Sequence, residues 1–373
     1  MGDRVRIGVA GTSWWADAMY LPALANHPQA DVRGVAGGRR TDHTREFAER
    51  WGIPNAYDSV AELLDAEPLD ALLVLTPNKA HFATAMAGIE RGLHVLCEKP
   101  LGMNAREARL LAEAAERAGI TTMVPFTYRF MPANRYLKQL QDDGWLGQPY
   151  HLNLRYYTGF GRSGAYAWRF DVGEAGSGIS GDLGSHWIYM ARWYFGEVRA
   201  VTAVFSHLVP RGPRPDGAPF EVAEDTALML LEFENGATGS LHLSSLAHEP
   251  GPFGQRHELD LHGSGGTLRA VSDWVTVQRV EGCRADETVP RELPIPDEIW
   301  GSARRDTVHD TYRDVFRTQD HMTRGFVTAI ATGGAVSPDF ADGLAVQRVL
   351  EAAARSAREG RRVPIDEIVG EGG

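Results

Sequence analysis

Cysteine is nearly absent: Cys97 and Cys283 are the only two in 373 residues, far apart and without a Cys-x-x-Cys spacing. A disulfide framework and a cysteine metal site are therefore not expected, and a reducing cytoplasmic setting is. Long apolar runs are missing too. A stretch such as Ala71-Leu72-Leu73-Val74-Leu75 falls well short of the roughly 20 residues that cross a bilayer, so no membrane partner is expected. Residues 1–6 lack the basic stretch and apolar run of an export signal. Positive charge is the minority: 38 Lys and Arg face 49 Asp and Glu, for a net charge of -11. Proteins that neutralise many phosphates carry clustered Lys and Arg, which argues against a nucleic acid partner.

What is present is an ordinary globular composition, 43% hydrophobic and 23% charged. The length exceeds what one core usually supports, so two domains are expected. Residues 1–125 form the first and 126–373 the second, with the C-terminal helix a candidate to pack back on the first.

The first 120 residues alternate β-rich runs with helical patterns: 5–10 then 18–26, 32–36 then 44–51, 71–75 then 80–91, and 95–97 then 105–118. Such alternation predicts βαβ units on a parallel, doubly wound sheet, an α/β fold. The unbroken apolar run 71–75 suits a strand covered on both faces. From about Tyr150 the runs lengthen and alternate, over 150–157, 200–206, 227–234, 238–244 and 257–262, with a turn at Glu234-Asn235-Gly236-Ala237. Helical periodicity returns at 185–195 and 344–359. The second domain is therefore predicted as α+β, a large, mostly antiparallel open sheet with helices on one face, and the segments 210–219 and 290–296 as loops. No internal repeat is found.

Gly11-Thr12-Ser13-Trp14-Trp15-Ala16 follows the first strand and opens the first helix, where a dinucleotide-binding fold needs glycine for the turn and for close approach of a pyrophosphate. Ser13 stands where the second glycine would be, so an ordinary strand-to-helix turn competes with that reading. The second strand runs into Ala36-Gly37-Gly38-Arg39-Arg40. No carboxylate is there to repel a 2'-phosphate, and two guanidiniums could pair with it, so NADP(H) is favoured over NAD(H). Solvated arginines after a glycine turn would read the same way. Thr76-Pro77-Asn78 and Glu98-Lys99-Pro100 end two further strands, the carboxyl ends at which open α/β sheets bind ligands. Further on, Asp182 and His186 lie four residues apart after a glycine run and would share a helix face. Histidine suits proton transfer near neutrality, with a carboxylate to orient it. A helix cap followed by a buried core histidine is the competing account.

Together these residues resemble the glucose-fructose oxidoreductase, inositol dehydrogenase and rhizopine-catabolism family (Gfo/Idh/MocA). The likeness runs over nearly the whole chain: the Gly11 loop, Leu21-Pro22-Ala23-Leu24, Thr76-Pro77-Asn78 with His81, residues 92–100, Tyr128-Arg129-Phe130 with Pro132, Trp168-Arg169, and residues 181–186. The resemblance implies an N-terminal Rossmann domain, a C-terminal domain whose open sheet serves oligomer contacts, and a site between them. It also implies an NAD(P)-dependent oxidoreductase acting on a secondary alcohol or ketone carbon of a sugar, sugar derivative or cyclitol. Lys99, Asp182 and His186 match the family's catalytic positions, His186 as acid-base, Lys99 on the developing alkoxide and Asp182 as orienting group. The expected cofactor set is Gly11, Thr12, Ser13, Trp14, Trp15, Gly38, Arg39, Arg40, Thr76, Pro77, Asn78, His81, Glu98, Lys99, Pro100 and Arg129. The expected substrate set is Lys99, Tyr128, Arg155, Trp168, Arg169, Asp182 and His186, with Trp14, Trp15, Tyr157 and Arg162 also near the presumed cleft. Tyr189 stands where many relatives carry a further Asp, so inositol specificity does not transfer. A neutral sugar ranks above a uronate or sugar phosphate, and a homodimer or homotetramer is expected. Two other accounts remain open: a glycosidase that keeps NAD bound and works through transient oxidation, and a non-catalytic dinucleotide-binding sensor.

Overall fold

The computed structural model describes residues 4–38, 41–251, 254–276 and 278–370. They divide into two compact units, Met1–Pro125 with Arg313–Ala345, and Phe126–Tyr312 with Val346–Gly373.

Six short strands build the sheet of the first unit: β1 (Val5–Ala10), β2 (Ala30–Ala36), β3 (Asn55–Tyr57), β4 (Ala71–Val74), β5 (His94–Cys97) and β6 (Thr122–Met123). Their order is β3-β2-β1-β4-β5-β6, and every pairing is parallel. This is the doubly wound arrangement that the sequence alternation predicts. Strand order reverses beside β1, so the loops after β1, β4 and β5 open at the crevice where such sheets bind ligands. All four β4 residues are fully buried, as befits a strand with both faces covered. The segment 313–345, left in the second domain by the sequence reading, groups with this unit. Its helix Met322–Thr332 packs on β1, β5 and β6 through a stripe that includes the buried Phe326 and Val327. Apolar residues at helical spacing need a surface to cover, and the parallel sheet offers one.

The second unit holds β7 (Pro149–Tyr157), β8 (Val198–Ser206), β9 (Thr226–Phe233), β10 (Thr238–Ser244), β11 (Arg256–Gly263), β12 (Gly266–Asp273), β13 (Arg279–Arg284), β14 (Arg291–Glu292) and β15 (Val363–Pro364). They form one sheet in the order β14-β13-β12-β11-β7-β10-β9-β8-β15. All neighbours are antiparallel except β7 and β10, which run parallel. Period-two alternation sets the faces. In β9, Ala227, Met229, Leu231 and Phe233 are buried, while Leu228 and Leu230 stand out to solvent. The helix Gly184–Phe195 lies on the buried face against β7 and β10. The segment 290–296, expected as a loop, contributes the two-residue edge strand β14. Both its residues are exposed, so no alternation marks it in the sequence.

No helix among the described residues is long and apolar enough to cross a membrane. None of their His, Cys, Asp and Glu side chains gather in threes that could hold a metal ion.

Candidate active site

In the first unit the Gly11 loop is shaped by close approach. Gly11 has φ +115°, its N–H donates to the Ala36 carbonyl at 2.8 Å, and a Cβ there would lie 2.4 Å from the Leu75 carbonyl oxygen. Only glycine fits that combination. Ser13, the departure from the glycine pattern, has a local role: its Oγ accepts the Ala16 N–H at 3.2 Å and caps the helix that follows. His43, which the sequence reading did not single out, places Nε2 3.1 Å from the Thr12 carbonyl and ties the next helix to this loop. Arg39 and Arg40 lie outside the described residues. At Gly38 an added Cβ would meet nothing within 4 Å, whereas at Gly37 it would lie 1.8 Å from the Thr44 hydroxyl oxygen.

Glu98, after β5, gathers three donors. Its Oε1 accepts Trp15 Nε1 at 3.0 Å and the Tyr20 hydroxyl at 2.5 Å, and its Oε2 accepts the Lys99 N–H at 3.1 Å. The loop that carries Lys99 is thereby tied to the first helix. Trp14 packs edge-on against Trp15 at 5.3 Å yet is 63% exposed, an unusual place for an indole with nothing to cover. His81 is fully buried, with Nδ1 2.8 Å from the Pro100 carbonyl and Nε2 3.0 Å from the Thr76 carbonyl. It braces the loops after β4 and β5 against each other. Burial pushes its pKa down, against the pull of the two carbonyls.

These residues fit a dinucleotide on two observations. The glycine turn leaves no room for a side chain between β1 and β4. The Thr76 hydroxyl, beside it, is buried without a hydrogen-bond partner among the described residues, an acceptor-donor pair held ready for a ligand. The Gly11–Trp15 loop, Thr76-Pro77-Asn78 and Glu98-Lys99-Pro100 are the groups that would hold it.

In the second unit, Asp171 caps the short helix Val172–Ala175 by accepting the Gly173 N–H at 3.0 Å, and a glycine turn leads to the one-turn helix Ile179–Asp182. The helix Gly184–Phe195 starts directly after it and carries His186, 7% exposed. Asp182 Oδ2 sits 3.3 Å from Arg169 Nε, and the Arg169 guanidinium lies over the Trp168 ring at 4.6 Å. The His186 ring meets the edge of Tyr128 at 4.8 Å and of Phe126 at 6.1 Å. Tyr128 and Tyr156 share a buried hydroxyl pair at 2.6 Å, and burial raises both phenols above their ordinary range. Beneath them His257 is enclosed by Tyr128, Tyr156, Trp187 and Trp274, and burial alone pushes its pKa down to about 3.

Asp182, Arg169, Trp168, His186 and Tyr128 thus belong to one unit, and the first three are in direct contact. Arg155 is turned away from them. It points to the opposite face of β7 from Tyr156 and pairs with Glu258 at 2.7 Å. Arg129, expected at the cofactor, hydrogen-bonds the Tyr189 hydroxyl and packs over Trp193. Tyr189 itself is buried, stacked on Phe126 at 4.7 Å, which explains how an aromatic residue occupies that helix position. The sequence reading passed over Tyr156, although strand alternation puts it on the inward face of β7. It also passed over Glu224, for which no local pattern gives a signal.

The chain is similar to proteins of known family along most of its length. The family model described as "Oxidoreductase family, NAD-binding Rossmann fold" matches residues 5–126, and that of the "GFO/IDH/MocA C-terminal domain" matches residues 134–269. The levoglucosan dehydrogenase of Pseudarthrobacter phenanthrenivorans is 27% identical over 379 residues, covering 91% of each chain. The D-xylose 1-dehydrogenase (NADP(+)) 2 of Haloferax volcanii is 28% identical over 362 residues, 96% of this chain and 99% of that one. A solved structure of levoglucosan dehydrogenase in complex with NADH and levoglucosan matches with a TM-score of 0.84 at 26% identity, over 97% of this chain and 100% of that chain. With the glycine turn, the parallel sheet and the Asp182–His186 segment in place, the chain belongs to the Gfo/Idh/MocA family and is an NAD-binding oxidoreductase.

Proposed function

We propose that this protein is an NAD(P)-dependent dehydrogenase that oxidises a secondary hydroxyl of a neutral sugar or cyclitol, or reduces the matching ketone. The carrying observation is the placement of His186 on an aromatic floor in the same short segment as Asp182, itself paired with Arg169. A bound nicotinamide dinucleotide supplies the hydride acceptor or donor. In oxidation, the hydroxyl proton passes to His186. Nδ1 of that ring is buried, which leaves Nε2 as the atom that exchanges the proton. Lys99, by its match to the family's catalytic position, supplies the cation that stabilises the developing negative charge. Asp182, with its charge balanced by Arg169, orients a neighbouring hydroxyl, and Trp168 and Tyr128 offer the apolar surface on which a sugar ring packs.

The arginines favour a neutral substrate over an anionic one. Arg169 pairs with Asp182, Arg155 with Glu258, Arg162 bonds the Gly159 carbonyl and His248, and Arg129 bonds Tyr189. A uronate or phosphate would have to share these guanidiniums with the partners they already hold. Likeness to a levoglucosan and a D-xylose dehydrogenase supports the same class.

NADP(H) is the proposed preference. β2 runs into Gly37 and Gly38 with no carboxylate there, Gly38 has open space beside it, and Arg39-Arg40 follow in the sequence. A second copy of the chain is the proposed partner, in a homodimer or homotetramer. The face of the nine-stranded sheet that exposes Val204, Leu228 and Leu230 is the apolar patch it would cover.

The test is nicotinamide absorbance with purified protein, each dinucleotide, and a panel of sugars, cyclitols and sugar acids in hydroxyl and keto forms. Turnover of a neutral member with NADP supports the reading. Dinucleotide binding with no turnover across the panel overturns it.

A further inference from the structure

Asp182 stands at the end of a helix only four residues long, too short to hold its own shape. The first amides of such a turn have no partner within it and must find one elsewhere. Here one residue, distant in sequence, takes all three. Glu224 Oε1 accepts the Gly178 N–H at 3.0 Å and the Ser180 N–H at 2.9 Å, while the Glu224 backbone carbonyl accepts the Ile179 N–H at 3.0 Å. The carboxylate is buried, 5% exposed. The fit is close: a Cβ on Gly178 would lie 2.1 Å from the Glu224 carbonyl oxygen.

Glu224 is itself anchored. The next residue, Asp225, donates its N–H to the Ser206 carbonyl and accepts the Ser245 N–H, which ties it to the ends of β8 and β10. The Asp225 side chain accepts the Leu208 and Val209 amides and pairs with the buried Arg211. The grip on the turn therefore issues from the sheet.

We infer that Glu224 is a positioning residue that holds the 178–182 turn, and with it Asp182 and the start of the His186 helix, in the geometry the reaction uses. This inference rests on the proposed function. Glu224 touches neither substrate nor cofactor in this role. It acts through three backbone amides, so the reach of its oxygen matters and its charge does not.

Three variants of the full-length protein test it. Glu224→Gln keeps an acceptor oxygen at the same reach. Glu224→Asp keeps the charge and withdraws the oxygen by one methylene. Glu224→Ala removes the acceptor. Leu268→Ala, in the buried face of β12, serves as a control for general destabilisation. The measurements are kcat and KM for the sugar, the dinucleotide Kd, and hydrogen exchange of the Gly178, Ile179 and Ser180 amides. Glu224→Ala and Glu224→Asp should lose protection at Gly178 and Ser180. They should also lose about tenfold or more in kcat, the scale of small misplacements of reacting groups. The dinucleotide Kd should stay at the wild-type value, and Glu224→Gln should stay near wild type throughout. Two results overturn the inference: Glu224→Gln falling as far as Glu224→Asp, or Leu268→Ala losing kcat to the same extent at equal loss of thermal midpoint. If Glu224→Ala does not fold, the comparison of Gln with Asp decides. If wild-type protein turns over no member of the panel, the proposed function has failed. The exchange measurement then decides alone whether Glu224 holds the turn.

Discussion

The two units carry their chemistry in different ways. In the first, the groups of interest sit at the carboxyl ends of parallel strands, and the loops there are braced by side chains: Glu98 with Trp15 and Tyr20, His81 with Thr76 and Pro100. In the second, Asp182 and His186 sit on a one-turn helix and the helix after it. Their supports come from strand β7 and from the residue pair that leads into β9. A parallel sheet places its loops by topology alone, so a short motif is enough to mark a site. An antiparallel sheet has no such privileged end, and here the 178–182 turn takes its place from the particular residue, Glu224, that accepts its amides.

That contrast can be broken by experiment. The largest effect is expected for the residues proposed to handle the proton and the alkoxide charge. Lys99→Ala or His186→Ala should cut turnover by about a hundredfold or more, the usual scale for an acid-base or oxyanion partner, with dinucleotide affinity little changed. Steady-state kinetics beside fluorescence titration with NADPH checks this, and a variant that turns over at the wild-type rate would remove that residue from the mechanism. A smaller effect, confined to the first unit, is expected for Gly11→Ala. A Cβ there meets the Leu75 carbonyl at a positive φ, strain on the order of 1–3 kcal/mol, so dinucleotide Kd should rise by about tenfold. If the Kd holds steady, the glycine turn does not shape the binding site.

A pH-dependent effect, read in stability and not in turnover, belongs to the second unit's floor. Burial lowers the His257 pKa to about 3, so the folded state resists a proton that the unfolded chain accepts below about 6.5. Its contribution to stability is therefore full above pH 6.5 and is lost as pH falls from there toward 3, at up to about 1.4 kcal/mol per pH unit. Denaturation series across that window should show a shallower acid limb for His257→Phe than for wild type. Parallel limbs would mean that His257 does not set the acid sensitivity.

Much of this was legible in the residues themselves. Alternating runs announce the parallel sheet because βαβ units impose that rhythm, and Gly11 directly after β1 marks the turn because only glycine fits there. Ser13 and Tyr189 looked like departures. The structure accounts for both by local packing, a helix cap in one case and an aromatic stack on Phe126 in the other. Arg155 shows the opposite case. Its residue type suits a substrate, but strand parity turns it to the far face of β7, where it pairs with Glu258.

By itself, then, the sequence determined the two kinds of sheet, the loops that carry Gly11, Thr76 and Lys99, and the spacing of Asp182 and His186, because periodicity and turn chemistry act over a few residues. The tertiary structure alone decided that 313–345 joins the first unit, that Tyr156 backs Tyr128, and that Glu224 grips the Asp182 turn. Those pairings depend on which surfaces meet when distant segments bury their apolar faces, and no local pattern encodes that choice.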